Sequence, residues 1–318
     1  MKKTLAHFVL AAAFAIVSCT KPFRPVEAEC RSVFYGFTGV VTAKPDSLPL
    51  CRFGIISKNS GLKLPLAQLR NSERSAQGAF DTVAHCYYAF GSNDGSDPTV
   101  LYRINLEGRV EALTNSEYRL LFNGLLYSRF DGRLYAFRRN AGASGVAVCQ
   151  ILTYPDRFEA KELVKDIWGV AANTVISSAV DNNTGKLYFR LGTDSTFEIY
   201  SFQPGDSAAK KLLSQKKSRI FGLCFNPADE RLYAIRQDST KTRFVKIDNQ
   251  GNTTVIDTLP FRPDPASFCA AIDRCANQYM LMGKVSNTHG YLVRLAMNGS
   301  IMGRDTTDGI LQAVTAAR

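Results

Sequence analysis

The sequence contains one tryptophan and three histidines in 318 residues, and it lacks the short motifs by which many enzymes are recognised. It has no Gly-x-Ser-x-Gly nucleophile elbow, no Walker phosphate loop and no His-Glu-x-x-His metalloprotease helix. No Cys-x-x-Cys pair occurs either, so a zinc site is not indicated. The sequence therefore predicts no catalytic residue, no metal site and no cofactor.

Cysteine is present eight times, but the chain is long enough to bury a full core without disulfide bonds. The pairs nearest in sequence are Cys30 with Cys51 and Cys269 with Cys275, and spacing alone does not choose among the possible connectivities. If Cys19 carries lipid, as argued next, an odd number remains and at least one cysteine is unpaired in a monomer.

The N-terminal residues have the order of a secretory signal: two lysines, an apolar run from about Leu5 to Val17, then a small residue and a cysteine. The run is shorter than the ~20 residues that a membrane-spanning helix needs. Its end, "IVSC", resembles the bacterial lipobox, which implies cleavage before Cys19 and fatty acyl chains on that residue. The alternative is ordinary cleavage near Ser18, with Cys19 left as a thiol.

We therefore divide the chain into a signal peptide at 1–18, a polar, proline-containing tether at 19–30 and a folded domain at 31–318. A lipid-anchored protein of this kind is expected in the bacterial cell envelope, in the periplasm or on the surface, with a membrane as its first partner.

The charge balance is basic. Cleavage would leave 37 basic and 28 acidic residues, a net charge of +9. Export would separate the chain from nucleic acid, so the excess can indicate an anionic membrane surface or a polyanionic glycan. The basic residues are scattered, and their one local cluster, at 210–219, fits an ordinary solvated surface better.

A strand-like stretch beginning with Leu-Tyr recurs along the domain, most clearly as "GRLYAFRRN", "GKLYFRLGT" and "ERLYAIRQD". Aligned on the tyrosine, the units are 45–53 residues apart. The aligned residues are Tyr88, Tyr135, Tyr188, Tyr233 and Tyr279. Each unit contains four short segments, here called A to D, separated by Gly, Asn and Asp turns. This period and these elements predict propeller blades of four antiparallel strands.

A polar residue precedes most of these tyrosines at a fixed distance. Asp81, Asp181 and Asn226 lie seven residues before their tyrosine, and Asp273 lies six before. We expect each side chain to bond the backbone of the turn between strands A and B. The third unit differs, since Asp131 lies only four residues before its tyrosine, and we expect a tighter turn there.

The two ends of the domain are each incomplete. The stretch around Tyr35 reads as strands B, C and D without an A strand, and the segment 309–317 reads as an A strand with nothing after it. We therefore predict an all-β, six-bladed propeller of four-stranded antiparallel blades, closed by the C-terminal strand in the first blade. The leucine and tyrosine of strand B then recur because they pack between neighbouring blades.

The units "NPADERLYAIRQD" and "DNNTGKLYFRLGTD" resemble those of NHL, YWTD and TolB-like six-bladed propellers, and the likeness covers roughly residues 31–318. The resemblance implies the fold, and it implies a ligand site at the mouth formed by the loops from D to A and from B to C. Arginine occurs in five of the six predicted D-to-A loops, and the remaining loop holds the only tryptophan. The candidate ligand-binding residues are Arg74, Arg119, Trp168, Arg219 and Arg262, with Arg304 in the fifth arginine loop.

Guanidinium groups beside aromatic side chains suit an anionic or glycan-like ligand, or an acidic partner surface. We therefore predict a lipid-anchored binding or scaffold protein that engages a protein or glycan on one propeller face. The alternative is a lactonase-like hydrolase with a metal in the central channel, which needs carboxylate or amide oxygens converging there. A purely structural envelope component is a third interpretation.

Overall fold

Strands alone make up the regular structure of the described residues. The computed structural model describes residue 30 and residues 32–40, 50–57, 61–70, 78–91, 100–115, 121–139, 145–168, 177–192, 196–263, 269–286 and 289–317. Ser32–Arg318 forms one compact unit, and Met1–Arg31 is assigned to another. The predicted signal peptide and Cys19 lie outside the described residues.

The strands are short, and their side chains alternate between two buried faces in most blades. The first twelve are β1 (Phe34–Val40), β2 (Leu50–Ser57), β3 (Gly61–Arg70), β4 (Gly78–Asp81), β5 (Cys86–Gly91), β6 (Val100–Asn105), β7 (Val110–Leu113), β8 (Leu121–Ser128), β9 (Arg133–Arg139), β10 (Gly145–Thr153), β11 (Phe158–Trp168) and β12 (Ser177–Val180). The others are β13 (Leu187–Gly192), β14 (Thr196–Phe202), β15 (Lys210–Lys216), β16 (Arg219–Asn226), β17 (Arg231–Gln237), β18 (Thr242–Ile247), β19 (Thr253–Leu259), β20 (Cys269–Asp273), β21 (Gln278–Lys284), β22 (His289–Ala296), β23 (Ile301–Asp308) and β24 (Ile310–Ala316).

These strands form six antiparallel sheets of four, which we number as blades 1 to 6. Blades 2 to 6 follow chain order from strand A to strand D, and their A strands are β4, β8, β12, β16 and β20. Blade 1 has the order β24–β1–β2–β3, so its A strand comes from the end of the chain. The A strands contact one another in the cyclic order β24, β4, β8, β12, β16, β20 and back to β24. They therefore line the centre of a closed ring.

The closure of blade 1 is an antiparallel pairing of β1 with β24. Phe34 lies opposite Ala316, and Thr38 lies opposite Leu311. The prediction that the C-terminal strand completes the first blade is confirmed, and so is the predicted fold class.

The Leu-Tyr repeat packs between blades. Because neighbouring residues of a strand face opposite sides of the sheet, Leu187 and Tyr188 enter different interfaces. Leu187 lies in a cluster with Tyr135 of blade 3, whereas the ring of Tyr188 stacks on Phe225 of blade 5 with 5.7 Å between centroids. Burying one such side chain contributes about 1.5–3 kcal/mol. The recurrence in sequence thus reflects one packing role repeated around the ring, as predicted.

The turns between strands A and B are capped by the predicted side chains. Asp81 Oδ1 accepts hydrogen bonds from the backbone N–H groups of Val83 and Ala84, at 2.8 and 2.9 Å. Asp181, Asn226 and Asp273 accept equivalent bonds from the amides two or three residues after them, at 2.9–3.1 Å. The capping prediction is confirmed for all four side chains.

The A–B turn of blade 3 is not capped by an Asp or Asn of its own, and it differs from the predicted tighter turn. The turn at 129–132 is as long as the turn at 227–230 of blade 5, so the prediction of a tighter turn is wrong. Ser128, and not Asp131, occupies the capping position, and Asp131 instead accepts a hydrogen bond from Tyr135. The backbone N–H of Arg129 donates to Asn182 Oδ1 of blade 4 at 2.8 Å. The neighbouring blade therefore supplies the turn with an acceptor.

The cysteines do not pair with their nearest neighbours in sequence. Cys30 and Cys275 are disulfide-bonded, whereas Cys51 and Cys269 are buried thiols. Neither neighbouring pair therefore forms. Within the described residues, no helix has the length and apolar character needed to cross a bilayer.

Candidate functional site

A cavity of ≈ 160 Å³ lies at the centre of the ring, lined by residues from the A strands of all six blades. Each A strand is the inner edge of its sheet, so backbone N–H and C=O groups face this space and need partners. Neighbouring blades supply some of them: Ser177 Oγ accepts a hydrogen bond from Leu223 N at 2.6 Å, and Tyr279 Oη donates to Gly222 O at 2.5 Å. The cavity wall is therefore a mixture of backbone polar groups and apolar side chains.

One end of the cavity is formed by the turns between strands A and B, and we call it the A–B end. The first residue after each A strand occupies an equivalent position there, because every blade has the same strand order. Counted as the residue that follows the capping position, these residues in blades 2 to 6 are Thr82, Arg129, Asn182, Pro227 and Arg274, and Ala317 follows the A strand of blade 1. Arg129 belongs to blade 3 and Arg274 to blade 6, so the two arginines stand on opposite sides of the ring.

Arg129, Asn182 and Arg274 all line the cavity. The Arg129 side chain extends across the opening, since its Nη2 donates a hydrogen bond to Ala317 O of blade 1 at 2.6 Å. Both arginines are only partly exposed. Among the described residues, no carboxylate forms an ion pair with either guanidinium.

Burial disfavours the charged form of both arginines, and repulsion adds to this effect at Arg274. Burial lowers the pKa of Arg129, and it also lowers the pKa of Arg274. The positive charge of Arg129 lowers the pKa of Arg274 further, and Asp181 offsets this only in part. A negative charge placed between the two guanidinium groups would relieve both effects.

The nearby carboxylates are already engaged. Asp181 accepts hydrogen bonds from Asn183 N at 2.9 Å and from Thr184 Oγ1 at 2.6 Å. Asp273 Oδ1 accepts bonds from two turn amides and from Ser32 Oγ, the last at 2.6 Å. These side chains hold the turns in shape, and the arginines are left to face the cavity.

Two residues predicted from sequence lie outside the described part of the chain, Arg74 and Arg119. Trp168 is the last residue of β11, where its backbone pairs with Gly145, and its side chain is outside the description. Arg219 is the first residue of β16 and pairs with Gln237. At the predicted mouth, the described residues therefore do not form a ligand-binding cluster.

Arg262 and Arg304 are held by contacts of their own. The Arg262 guanidinium donates to the carbonyl oxygens of Ser239 and Asp238, at 2.8 and 3.1 Å. Arg304 is in strand β23 and not in a loop, because β23 continues to Asp308, and its guanidinium carbon lies 5.4 Å from the centroid of the Phe261 ring.

Sequence reasoning missed Arg129 and Arg274 as a pair. The signal was available, because both arginines directly follow the residue that occupies the capping position of an A–B turn. In blade 3 that position holds Ser128, so an alignment built on Asp and Asn alone does not reveal the equivalence.

The described residues contain no group of three or more His, Cys, Asp and Glu side chains that could hold a metal ion. The cavity lining contains arginine and asparagine at its A–B end but no carboxylate. The converging oxygens that a lactonase-like metal site needs are therefore not found in this part of the chain.

Comparisons with known proteins identify the fold. No family model and no curated protein matches the sequence. Among solved structures, TolB from Acinetobacter baumannii is similar with a TM-score of 0.62 at 13% identity, over 91% of this chain and 67% of that chain. A nidogen/laminin complex gives a TM-score of 0.61 at 12% identity, over 91% of this chain and 99% of that chain. The gluconolactonase XC5397 from Xanthomonas campestris gives 0.55 at 14% identity, over 90% of each chain. At such identities the likeness establishes a six-bladed propeller with TolB-like structural neighbours, and it does not assign a reaction or a ligand.

Proposed function

We propose that this protein is a lipid-anchored binding protein of the bacterial cell envelope that engages a protein or glycan partner at the A–B end of its propeller. The observation that carries this proposal is the pair of partly buried arginines, Arg129 and Arg274, at the opening of the central cavity. Guanidinium groups that have no carboxylate partner among the described residues, placed at a concave opening, are suited to capture an anionic group of a partner.

The surface around this opening supports contact with a larger partner. Val83 and Phe130, in the A–B turns of blades 2 and 3, are 79% and 60% exposed. Apolar side chains beside cationic ones form the kind of surface on which protein interfaces concentrate their binding energy. A folded partner could therefore use these side chains while presenting an anionic group to the cavity.

The described residues just before β1 lie at the same end of the propeller. Ser32 Oγ donates to Asp273 of the blade 6 turn at 2.6 Å, and Val33 O accepts a bond from Ala317 N at 2.8 Å. Lipid on Cys19 would be connected to this face by a segment that spans at most about 45 Å when fully extended. A lipid anchor would thus keep the proposed site near the other proteins and lipids of the envelope.

The residues predicted at the opposite mouth form a second proposed binding surface. They are Arg74, Arg119, Trp168, Arg219 and Arg262. Arg262 is exposed, although its guanidinium is already bonded to backbone carbonyl groups. The hydrolase alternative is less well supported, because the described lining of the cavity lacks the oxygen ligands that it needs.

Lipid attachment predicts a simple chemical outcome. We expect cells given a radioactive fatty acid to label the full-length chain, and we expect replacement of Cys19 by alanine to abolish both the label and sedimentation with membranes. Replacement of Cys30 by alanine controls for loss of a cysteine near the tether and should leave the label unchanged. Equal labelling of the wild-type chain and the Cys19→Ala chain would exclude the anchor.

Partner binding predicts a difference between the two faces. We expect the Arg129→Ala/Arg274→Ala chain to lose at least tenfold in affinity capture of a partner from envelope extracts, because charge-assisted hydrogen bonds each contribute about 1.5–3 kcal/mol. The exposed Arg133→Ala, on the same face, is the matched control and should capture normally. A second chain with Arg74, Arg119, Arg219 and Arg262 replaced by alanine tests the opposite mouth. Normal capture by the Arg129/Arg274 chain would exclude the A–B end.

A further inference from the structure

We propose that the opening at the A–B end is a binding site for a single carboxylate group, held between the guanidinium groups of Arg129 and Arg274. This inference deepens the proposed function, on which it rests, by naming the chemical group that the site recognises. The site is assembled from blades 3, 4 and 6 and exists only when the ring is closed.

The guanidinium groups at the opening have more N–H donors than the described residues have acceptors for them. Each guanidinium has five N–H donors and no acceptor. Among the described residues, the one hydrogen bond from these two guanidinium groups joins Arg129 Nη2 to Ala317 O, so further donors remain for a ligand. Asn182 adds a side-chain amide, whose oxygen is already used as the acceptor for Arg129 N. A planar anion with two oxygens matches this set of fork-shaped donors.

The charge around the opening favours a singly charged anion over a doubly charged one. Asp81 and Asp273 end their A strands at this face, and Asp181 directly follows β12 there. Their oxygens are directed to turn amides, but their negative charges oppose a second charge on the ligand. A carboxylate carries one charge near neutral pH, whereas inorganic phosphate carries up to two.

The size of the cavity limits what can enter it. A volume of ≈ 160 Å³ is similar to that of a cavity of about 150 Å³ that binds benzene, so a carboxylate with a few carbon atoms fits. Beyond the arginines, the A strands contribute apolar residues to the lining, including Leu125, Leu223 and Ile272. The site therefore suits the end of an acidic side chain, a chain terminus or a short organic acid.

The test uses the full-length chain purified in detergent, with butyrate as the probe. Binding is followed by the NMR signals of the arginine Nε–H groups during titration. We expect saturable shifts with butyrate, none with the neutral isostere butyramide, and weaker binding of inorganic phosphate. Arg274→Gln should weaken butyrate binding at least tenfold, because it removes one of two charged donors.

Two further variants separate ligand binding from folding. Arg129→Lys keeps the charge but removes the fork of donors, so it should also weaken binding, whereas Arg133→Gln is the exposed control and should bind normally. A circular dichroism spectrum equal to that of the wild type is required of each variant. Undiminished butyrate binding by Arg274→Gln would overturn the proposal, as would tighter binding of phosphate than of butyrate.

The outcome also separates this inference from the broader function. If the Arg129/Arg274 variants lose partner capture while the wild-type chain shows no saturable butyrate binding, the binding face is correct and the carboxylate site is wrong. If butyrate binds as expected while capture is unaffected, the site exists and the proposed partner surface is wrong.

Discussion

Replacing Leu311 by aspartate is expected to cost more than about 4 kcal/mol of unfolding free energy, because it places an unpaired charge inside the closing interface of the ring. Leu311 is 1% exposed in β24, where it lies in the cluster that joins blade 6 to blade 1. Met280 and Met282 of blade 6 and Phe34 of blade 1 surround it in that cluster. The change therefore opens the interface on which blade 1 depends.

Urea unfolding followed by circular dichroism measures this effect. Met302→Asp is the matched control, since Met302 is 55% exposed on the outer strand β23. Its free energy of unfolding should remain within about 0.5 kcal/mol of the wild-type value. Similar losses for the two variants would mean that β24 does not close the ring in solution.

Alkaline pH is expected to unfold the propeller cooperatively, because several buried tyrosines cannot ionise while the blades remain packed. Burial raises the pKa of Tyr188 to about 12, with smaller contributions from the charges of Asp181 and Glu230. Burial also raises the pKa of Tyr87 and that of Tyr279 well above the usual value. Both of these side chains are fully enclosed between blades.

The direction of the effect follows from where the protons are held. Below about pH 10, tyrosine is protonated in both the folded and the unfolded chain, so its full contribution to stability is present. Above this pH the unfolded chain releases protons that the folded chain retains, so stability falls as pH rises towards 12 and beyond. Acidic pH should not produce this loss.

Tyrosinate absorbance and near-ultraviolet circular dichroism, recorded over the same pH titration, measure the two processes together. We expect most of the tyrosinate signal to appear in the same step as the loss of near-ultraviolet ellipticity. Tyr188→Phe should remove part of the absorbance change from that step alone. A complete tyrosinate transition near pH 10 with unchanged ellipticity would show that these side chains are accessible in the folded ring.

Much of the fold could be predicted from the sequence because every blade of a propeller packs its two faces against neighbouring blades in the same way. Tyr135, Tyr188 and Tyr233 recur at similar spacing since each fills the same kind of space between two sheets. Blade 1 lacks an A strand at the start of the domain, and an extra A strand lies at its end. The pairing of these two segments then closes the ring. Both inferences depend on local patterns and chain order, which a single sequence contains.

The candidate site could not be predicted in the same way. Arg129 and Arg274 are far apart in the chain and are brought to one opening only because blades 3 and 6 stand opposite each other. The resemblance to known propellers implies a ligand site at the loops of the other mouth. The disulfide-bonded state of Cys30 and of Cys275 could not be predicted either, because cysteine spacing does not determine connectivity.

The pairing of β24 with β1 also constrains how this protein can mature after synthesis. The strand that finishes the first blade follows all the other described strands in the chain, so β1 has no inner neighbour until residues 310–316 have been made. Pairing between segments so far apart in sequence is slow to form, because the intervening chain must first be brought into a loop. The circular arrangement thus makes the completion of blade 1 a late step of folding.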